Sequence, residues 1–213
     1  MLFLRVAQPQ NQIYAYRKAV ISGGNTAFSF VKLQQFKQLL VIKRMNKTTP
    51  NIVEKKNHWL LGQVDVDFPT SESLLGRDLY VKSLETKHYQ ELDTMLSHGD
   101  DVVDEIYLVD FHRLTIMFSI IQSKKWKLDR DQSNIIEFLT QIILSSDHEL
   151  YVGFKSGEPV AAAMVSCDDI ECLISDLAWH NDNEDDIEKF TYQLWRYWKQ
   201  SHTNDCEVWV EKL

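Results

Sequence analysis

The sequence predicts an α/β protein, a mixed sheet flanked by helices and preceded by a smaller α/β half-domain, and three features of its second half predict the sheet. Residues 150–154, 159–165 and 170–179 are short β-rich runs, separated first by Lys155-Ser156-Gly157-Glu158 and then by Ser166-Cys167-Asp168-Asp169. Each junction has hairpin chemistry, so three antiparallel strands follow. Ile187, Phe190, Leu194 and Trp198 then recur at helical spacing, and Cys206, Val208 and Val210 share one face of a last strand over 206–210. A strand, a helix and a strand in that order make a parallel neighbour.

From the start of the chain, residues 2–6 and 13–21 read as strands, the second ended by Ser22-Gly23-Gly24-Asn25. Phe30, Leu33 and Phe36 place a helix over 26–38, and 39–43 is a short apolar strand. Thr49-Pro50 opens a short helix over 50–57, with Thr49 as N-cap and Pro50 at the first helical position. Over 59–68, Val64, Val66 and Phe68 alternate with Gln63, Asp65 and Asp67, a half-buried strand stopped by Pro69. Residues 1–69 are therefore expected to form the half-domain. Residues 70–77, polar and carrying Gly76, are expected to be the linker.

The larger domain is expected over 78–213. Tyr80, Lys82 and Leu84 alternate with Leu79, Val81 and Ser83 and predict a strand over 78–84; His88, Leu92 and Leu96, four apart, predict a helix over 85–97. After an acidic break at 100–104, residues 106–122 are apolar nearly all round, which predicts one or two buried helices. Asn134 with Glu137 fits a helix start, and Ile135, Phe138, Leu139, Ile142 and Ile143 form its core stripe.

Composition narrows the function classes. The 213 residues, 44% hydrophobic and 25% charged, suit a soluble globular protein with a real core. A net charge of −8 and a pI near 5.3 argue against a nucleic-acid partner, since neutralising phosphates takes a basic surface. Basic residues nevertheless crowd the first 60 positions, Lys55 and Lys56 among them, either as a solvated surface or as a face for an anionic substrate. Three cysteines without zinc-type spacing fit a reducing compartment, the cytoplasm, and no disulfide framework. No apolar run approaches the ~20 residues of a membrane span, so no membrane partner is expected.

The wording ELYVGFKSGEPVAAAMVS, followed by CLISDLAWHN, resembles the second to fourth strands of the GNAT (Gcn5-related) N-acyltransferase superfamily. DLYVKSL looks like that family's first strand. HWLLGQVDVDFP looks like the last strand of the partial GNAT-like unit that precedes the full domain in enzymes acetylating nucleotide-linked amino sugars. The resemblance implies acetyl-CoA or another acyl-CoA as cofactor and a small amine as acceptor, an amino sugar or amino acid. It also implies that Leu177, Ala178 and Trp179 form the cofactor-binding stretch.

Two departures weigh against it. The family's Gly-rich pyrophosphate loop is replaced by His180-Asn181-Asp182-Asn183-Glu184-Asp185-Asp186, with no glycine and with acids in the first helical turn. Those acids suit a helix N-terminus but repel a pyrophosphate. The chain also ends after the strand at 206–210, lacking the last helix and two strands of a complete domain. Either the fold is truncated, or the N-terminal unit covers that strand's edge, or a second copy does, as a homodimer formed through the edge strand from Cys206 to Val210.

The candidate catalytic residues are Asp176 and His180. Ile170, Cys172, Ile174 and Ala178 form an apolar face that Asp176 interrupts, so its carboxyl is expected to be partly desolvated, with a raised pKa suited to a general base. A β-bulge near Ser175 would instead turn it to solvent. His180 follows the strand end, as a surface residue or a site residue, and His112 reads as a core histidine. Cys167, Cys172 and Cys206 lack basic neighbours that would activate them, and no metal constellation is present. Two classes stay open: an acyl-CoA-dependent N-acyltransferase, and a non-catalytic binding or assembly module on a degenerate scaffold that no longer binds CoA.

Overall fold

Ile52, Val53, Lys56 and Leu60 fall on one buried face of helix α1, Asn51–Leu61, the first element among the described residues of the computed structural model. The structure describes residues 49–93, 100–181, 183–203 and 205–212, all within one unit, Thr49–Leu213. The elements expected over 2–43 lie outside the described residues. Helix α1 runs past residue 57 because its buried stripe continues to Leu60, and a 3-10 turn, Gly62–Val64, ends it. Pro50, not Thr49, occupies the N-cap.

The strand expected over 59–68 does not form. Val64 is buried, but Val66 and Phe68 are 56% and 93% exposed, so their alternation with acids belongs to a solvated connection. The expected linker at 70–77 and strand at 78–84 are instead one helix, α2, Ser71–Leu84. Thr70 Oγ1 caps it by accepting the Ser73 N–H at 3.1 Å. The alternation seen over 78–84 had apolar residues on both faces, whereas Ser73, Gly76 and Tyr80 make a buried seam at helical spacing. That seam meets the helix carrying Asn134 so closely that a Cβ on Gly76 would stand 2.0 Å from the Asn134 carbonyl oxygen.

Of the helix expected over 85–97, residues 94–97 lie outside the described residues, and His88–Glu91 is instead strand β1. The apolar run at 106–122 divides into strand β2, Glu105–Leu108, and helix α3, His112–Ser123, with Phe111 extended at the junction. Helix α4, Asp129–Leu139, follows, and it is the element that carries Asn134.

Strands β3, His148–Lys155, β4, Glu158–Cys167, and β5, Glu171–Trp179, are antiparallel neighbours, as expected. Ser156 and Gly157, with φ of 53° and 82°, form the two-residue turn between β3 and β4. In the β4–β5 turn, Asp168 Oδ1 accepts the N–H groups of Ile170 and Glu171, both at 2.8 Å. The register places Cys167 opposite Cys172 with Cα atoms 4.1 Å apart, and the two form a disulfide. This corrects the expectation of free thiols, which counted cysteines without knowing the register. Cys206 is free.

Helix α5, Glu184–Lys199, then leads into β6, Glu207–Lys212, which pairs in parallel with β5. Among the described residues six strands make one mixed sheet in the order β1-β6-β5-β4-β3-β2. One face carries Trp179, Val208 and Val210 against Phe190, Leu194 and Trp198 of α5. The opposite face carries Leu150, Val152, Met164 and Ala178 against α3 and α4.

Strand β6 does not present an open edge. Strand β1 pairs with it antiparallel from His88↔Lys212 to Glu91↔Trp209, so this chain itself covers the edge at which a homodimer was expected. Among the described residues no helix is long and apolar enough to cross a membrane.

Candidate functional site

The site begins with an irregularity in β5. Ala162 pairs with Ala178 and Met164 with Ser175, so Ala163 faces two residues, Asp176 and Leu177. The extra residue is a β-bulge, and Asp176 takes it up in the left-handed region at φ 52°, a conformation that costs a non-glycine residue about 1 kcal/mol or more. The bulge resets the alternation. Ile174 and Leu177 both enter the cluster under α5, while the Asp176 side chain turns toward α1 and α2. Pairing between β5 and β6 also stops at Ile174↔Val210, so among the described residues β5 has no strand partner on that side beyond the bulge.

Asp176 is not turned to solvent. Its Oδ1 accepts the Tyr80 hydroxyl at 2.6 Å and lies 3.3 Å from Lys87 Nζ. Its Oδ2 accepts Lys56 Nζ and Ser175 Oγ, each at 3.0 Å. Lys56 also donates to the Tyr80 oxygen at 2.8 Å, and Lys87 reaches Glu211 Oε1 at 3.0 Å. Glu211 Oε1 in turn accepts the Asp176 N–H at 3.2 Å. The Gln122 side-chain amide donates to the Asp176 carbonyl, and Lys125 Nζ donates to Gln122 Oε1 at 2.9 Å.

Charge, not burial, decides the titration of Asp176. Burial alone would raise the carboxyl, but Lys56, Lys87 and Lys125 together hold it well below the usual carboxylate range. The raised value expected from the apolar face is therefore reversed, because the helices supply cations that the strand's own pattern does not contain. Burial and the nearby Asp176 and Glu211 carboxylates push the Tyr80 hydroxyl well up. For Lys87 burial works downward, yet the same two carboxylates win and raise it. Lys125 moves the other way, lowered to about 8 by burial and by the Lys87 charge.

Beside this cluster lies a cavity of about 330 Å³. Tyr80, Lys87, Gln122, Lys125 and Asp176 line its polar side; Leu177, Trp126 and Ile187 form apolar wall, and Glu184 also reaches it. Of the residues expected at a site, Asp176 and Leu177 come together here. Ala178 faces the core under α3, and Trp179 is buried against Phe190 with ring centroids 6.2 Å apart. His180 is exposed in the turn after β5, where its N–H donates to the Val160 carbonyl, and it does not line the cavity. His112, read as a core histidine, is exposed at the start of α3.

Lys87, Gln122 and Lys125 were not singled out from the sequence, Tyr80 entered only a strand pattern, and Lys56 only a basic stretch. Lys56 carried a signal, since it sits on the apolar stripe of α1 between Ile52 and Leu60. Lys87 and Lys125 carried none, because each follows a helix end where a lysine is ordinarily solvated. Among the described residues no group of His, Cys, Asp and Glu is placed to hold a metal ion.

The fold class is α/β: three antiparallel strands, a helix, then a strand parallel to the third, in a mixed sheet flanked by helices. No protein-family model matches the chain, and no curated protein matches it. Among solved structures it is similar to a GCN5-related N-acetyltransferase from Kribbella flavida, with 10% identity and a TM-score of 0.39 over 63% of this chain and 53% of that one. The chain thus spans about half the length of that protein.

Proposed function

We propose that this chain is an acyl-CoA-dependent N-acyltransferase acting on a small amine. The observation that carries the reading is the parting of β5 from β6 at the Asp176 bulge beside an open cavity. Acyl transfer from a thioester asks little of a protein: hydrogen-bond donors for the developing oxyanion, a proton path, and a slot that aligns donor and amine. Past the bulge, the backbone at Leu177 and Ala178 has no strand partner toward β6 among the described residues, as a slot for an extended pantetheine arm requires. Neither Trp179 nor Trp195 lines the cavity. In this reading Asp176 is a positioning residue, ionised and fixed, that holds Lys56, Tyr80 and Lys87 in place, since a carboxylate with so low a pKa is a poor base.

A second reading, a binding or assembly module that takes no CoA, is favoured by the first turn of α5. Glu184, Asp185 and Asp186 occupy it, and Asn183 caps it by accepting the Asp185 N–H at 3.1 Å. Such a helix start is electrostatically complete and leaves little for a phosphate. Calorimetric titration with acetyl-CoA, repeated with a longer acyl-CoA, separates the readings. Saturable binding in the micromolar range supports the acyltransferase; no heat and no thermal shift with either compound rules it out in favour of the module.

A further inference from the structure

Lys125 differs from the other lysines of the site. Lys56 reaches Asp176 at 3.0 Å, and Lys87 reaches Asp176 and Glu211 at 3.3 and 3.0 Å. Lys125 Nζ donates only to a neutral group, Gln122 Oε1, and among the described residues it forms no ion pair within 4.0 Å. Lys56 and Lys87 thus take up the Asp176 and Glu211 carboxylates, and Lys125, left outside those ion pairs, lines the cavity of about 330 Å³.

A half-buried ammonium without an ion pair is stabilised when an anion joins it. A single negative charge on a ligand balances this group, whereas a phosphate dianion placed beside Asp176 and Glu211 exceeds it. The remaining wall suits a small organic body, with Leu177 and Trp126 apolar. Glu184, which enters from α5 on the other face of the sheet, supplies a carboxylate to the same cavity. A cation on one side and a carboxylate on the other complement a molecule that carries both an acid and an amine.

We propose that the cavity recognises a small amino acid, its carboxylate held by Lys125 Nζ and its amino group toward Glu184. This deepens the acyltransferase reading by naming the acceptor class, and it rests on that reading for the reaction though not for the binding. Gln122 keeps its role in either state, since its oxygen orients the lysine and its amide donates to the Asp176 carbonyl.

The test is calorimetry on the full chain with glycine, alanine and methionine, each paired with its own amide, and with inorganic phosphate as a further probe. We expect at least one acid to bind tenfold or more tighter than its amide, with Lys125→Met abolishing the difference and Lys125→Arg keeping it. Equal binding of acid and amide, heat from none of the acids, or a preference that survives Lys125→Met overturns the proposal. So does phosphate binding tighter than every acid, which assigns the lysine to a phosphate group instead. The wild-type comparison of acid with amide stands even if a variant folds poorly. Acetyl-CoA titrated alone reports separately on the acyltransferase reading, so amino-acid binding without acetyl-CoA binding sinks only that reading, and the reverse sinks only this inference.

Discussion

Lys56 Nζ lies 3.0 Å from Asp176 Oδ2, with the two side chains 0% and 3% exposed. The contact ties α1 to the bulge across 120 positions of sequence, and Tyr80 of α2 closes the triangle by bonding both partners. Removing one member of a buried pair leaves the other charge without compensation, which typically costs about 3–5 kcal/mol. Asp176→Asn keeps the shape but strips the charge from Lys56, and it leaves Lys87 with Glu211 alone. We expect urea unfolding of Asp176→Asn to show a loss in that range. A loss under about 1 kcal/mol, the size of a surface ion pair, would mean the cluster is solvated.

Acid should unfold the protein through the same residue. The folded pKa of Asp176 lies below the value of about 3.9 for an unfolded aspartate, so the folded state binds fewer protons in that interval. Its stabilisation is fully present above about pH 4 and is lost as pH falls through the folded pKa. Wild-type melting temperature should therefore drop steeply below about pH 4. The Asp176→Asn curve should be flatter there, and parallel curves would count against the assignment.

Lys125 should behave in the opposite sense. Its folded pKa of about 8 lies below the unfolded value of about 10.4, so carrying the proton costs stability at every pH below about 8. That cost is relieved as pH rises from about 8 to about 10.4. Lys125→Met should then stabilise the protein at pH 7, on the order of 1–3 kcal/mol, and the gain should shrink across that window. Denaturant melts of both proteins at pH 7 and pH 10 measure it. A variant less stable than wild type at pH 7 would show that the ammonium is already compensated.

How much of this was legible in the sequence follows from what each signal depends on. The two hairpins, α5 and the parallel step to β6 were readable because turn residues and an unambiguous helical stripe are local. The stretch from 59 to 91 was misread because Val66 and Phe68 alternate with acids in a solvated connection, while α2 hides its buried seam in Ser73, Gly76 and Tyr80 rather than in large apolar residues. The edge of β6 was a recognised problem, and its solution, β1, was missed with that misreading. Asp176 stood out because it interrupts an apolar face, but its environment did not, since the lysines that set its charge arrive from α1 and from the ends of α2 and α3. Of these only Lys56 broke a pattern of its own.

Gly76 is where the misread helix can be tested directly. It carries no unusual backbone angle, and its value is the missing side chain: a Cβ there would stand 2.0 Å from the Asn134 carbonyl oxygen and 2.7 Å from Phe138 Cβ. Backbone cannot swing aside as a flexible side chain can, so α2 must move away from α4. Gly76→Ala should therefore destabilise the protein by at least about 2 kcal/mol, against the gain that alanine ordinarily brings to a helix. Tyr80 lies one turn further along the same seam, with its ring centroid 5.8 Å from that of Phe138 and its hydroxyl 2.6 Å from Asp176. A shift of α2 then loosens the carboxylate cluster as well. The Gly76→Ala protein should lose part of the acid sensitivity that marks wild type, in addition to melting earlier. Unchanged melting in this variant would show that the two helices do not approach as closely as their backbones indicate.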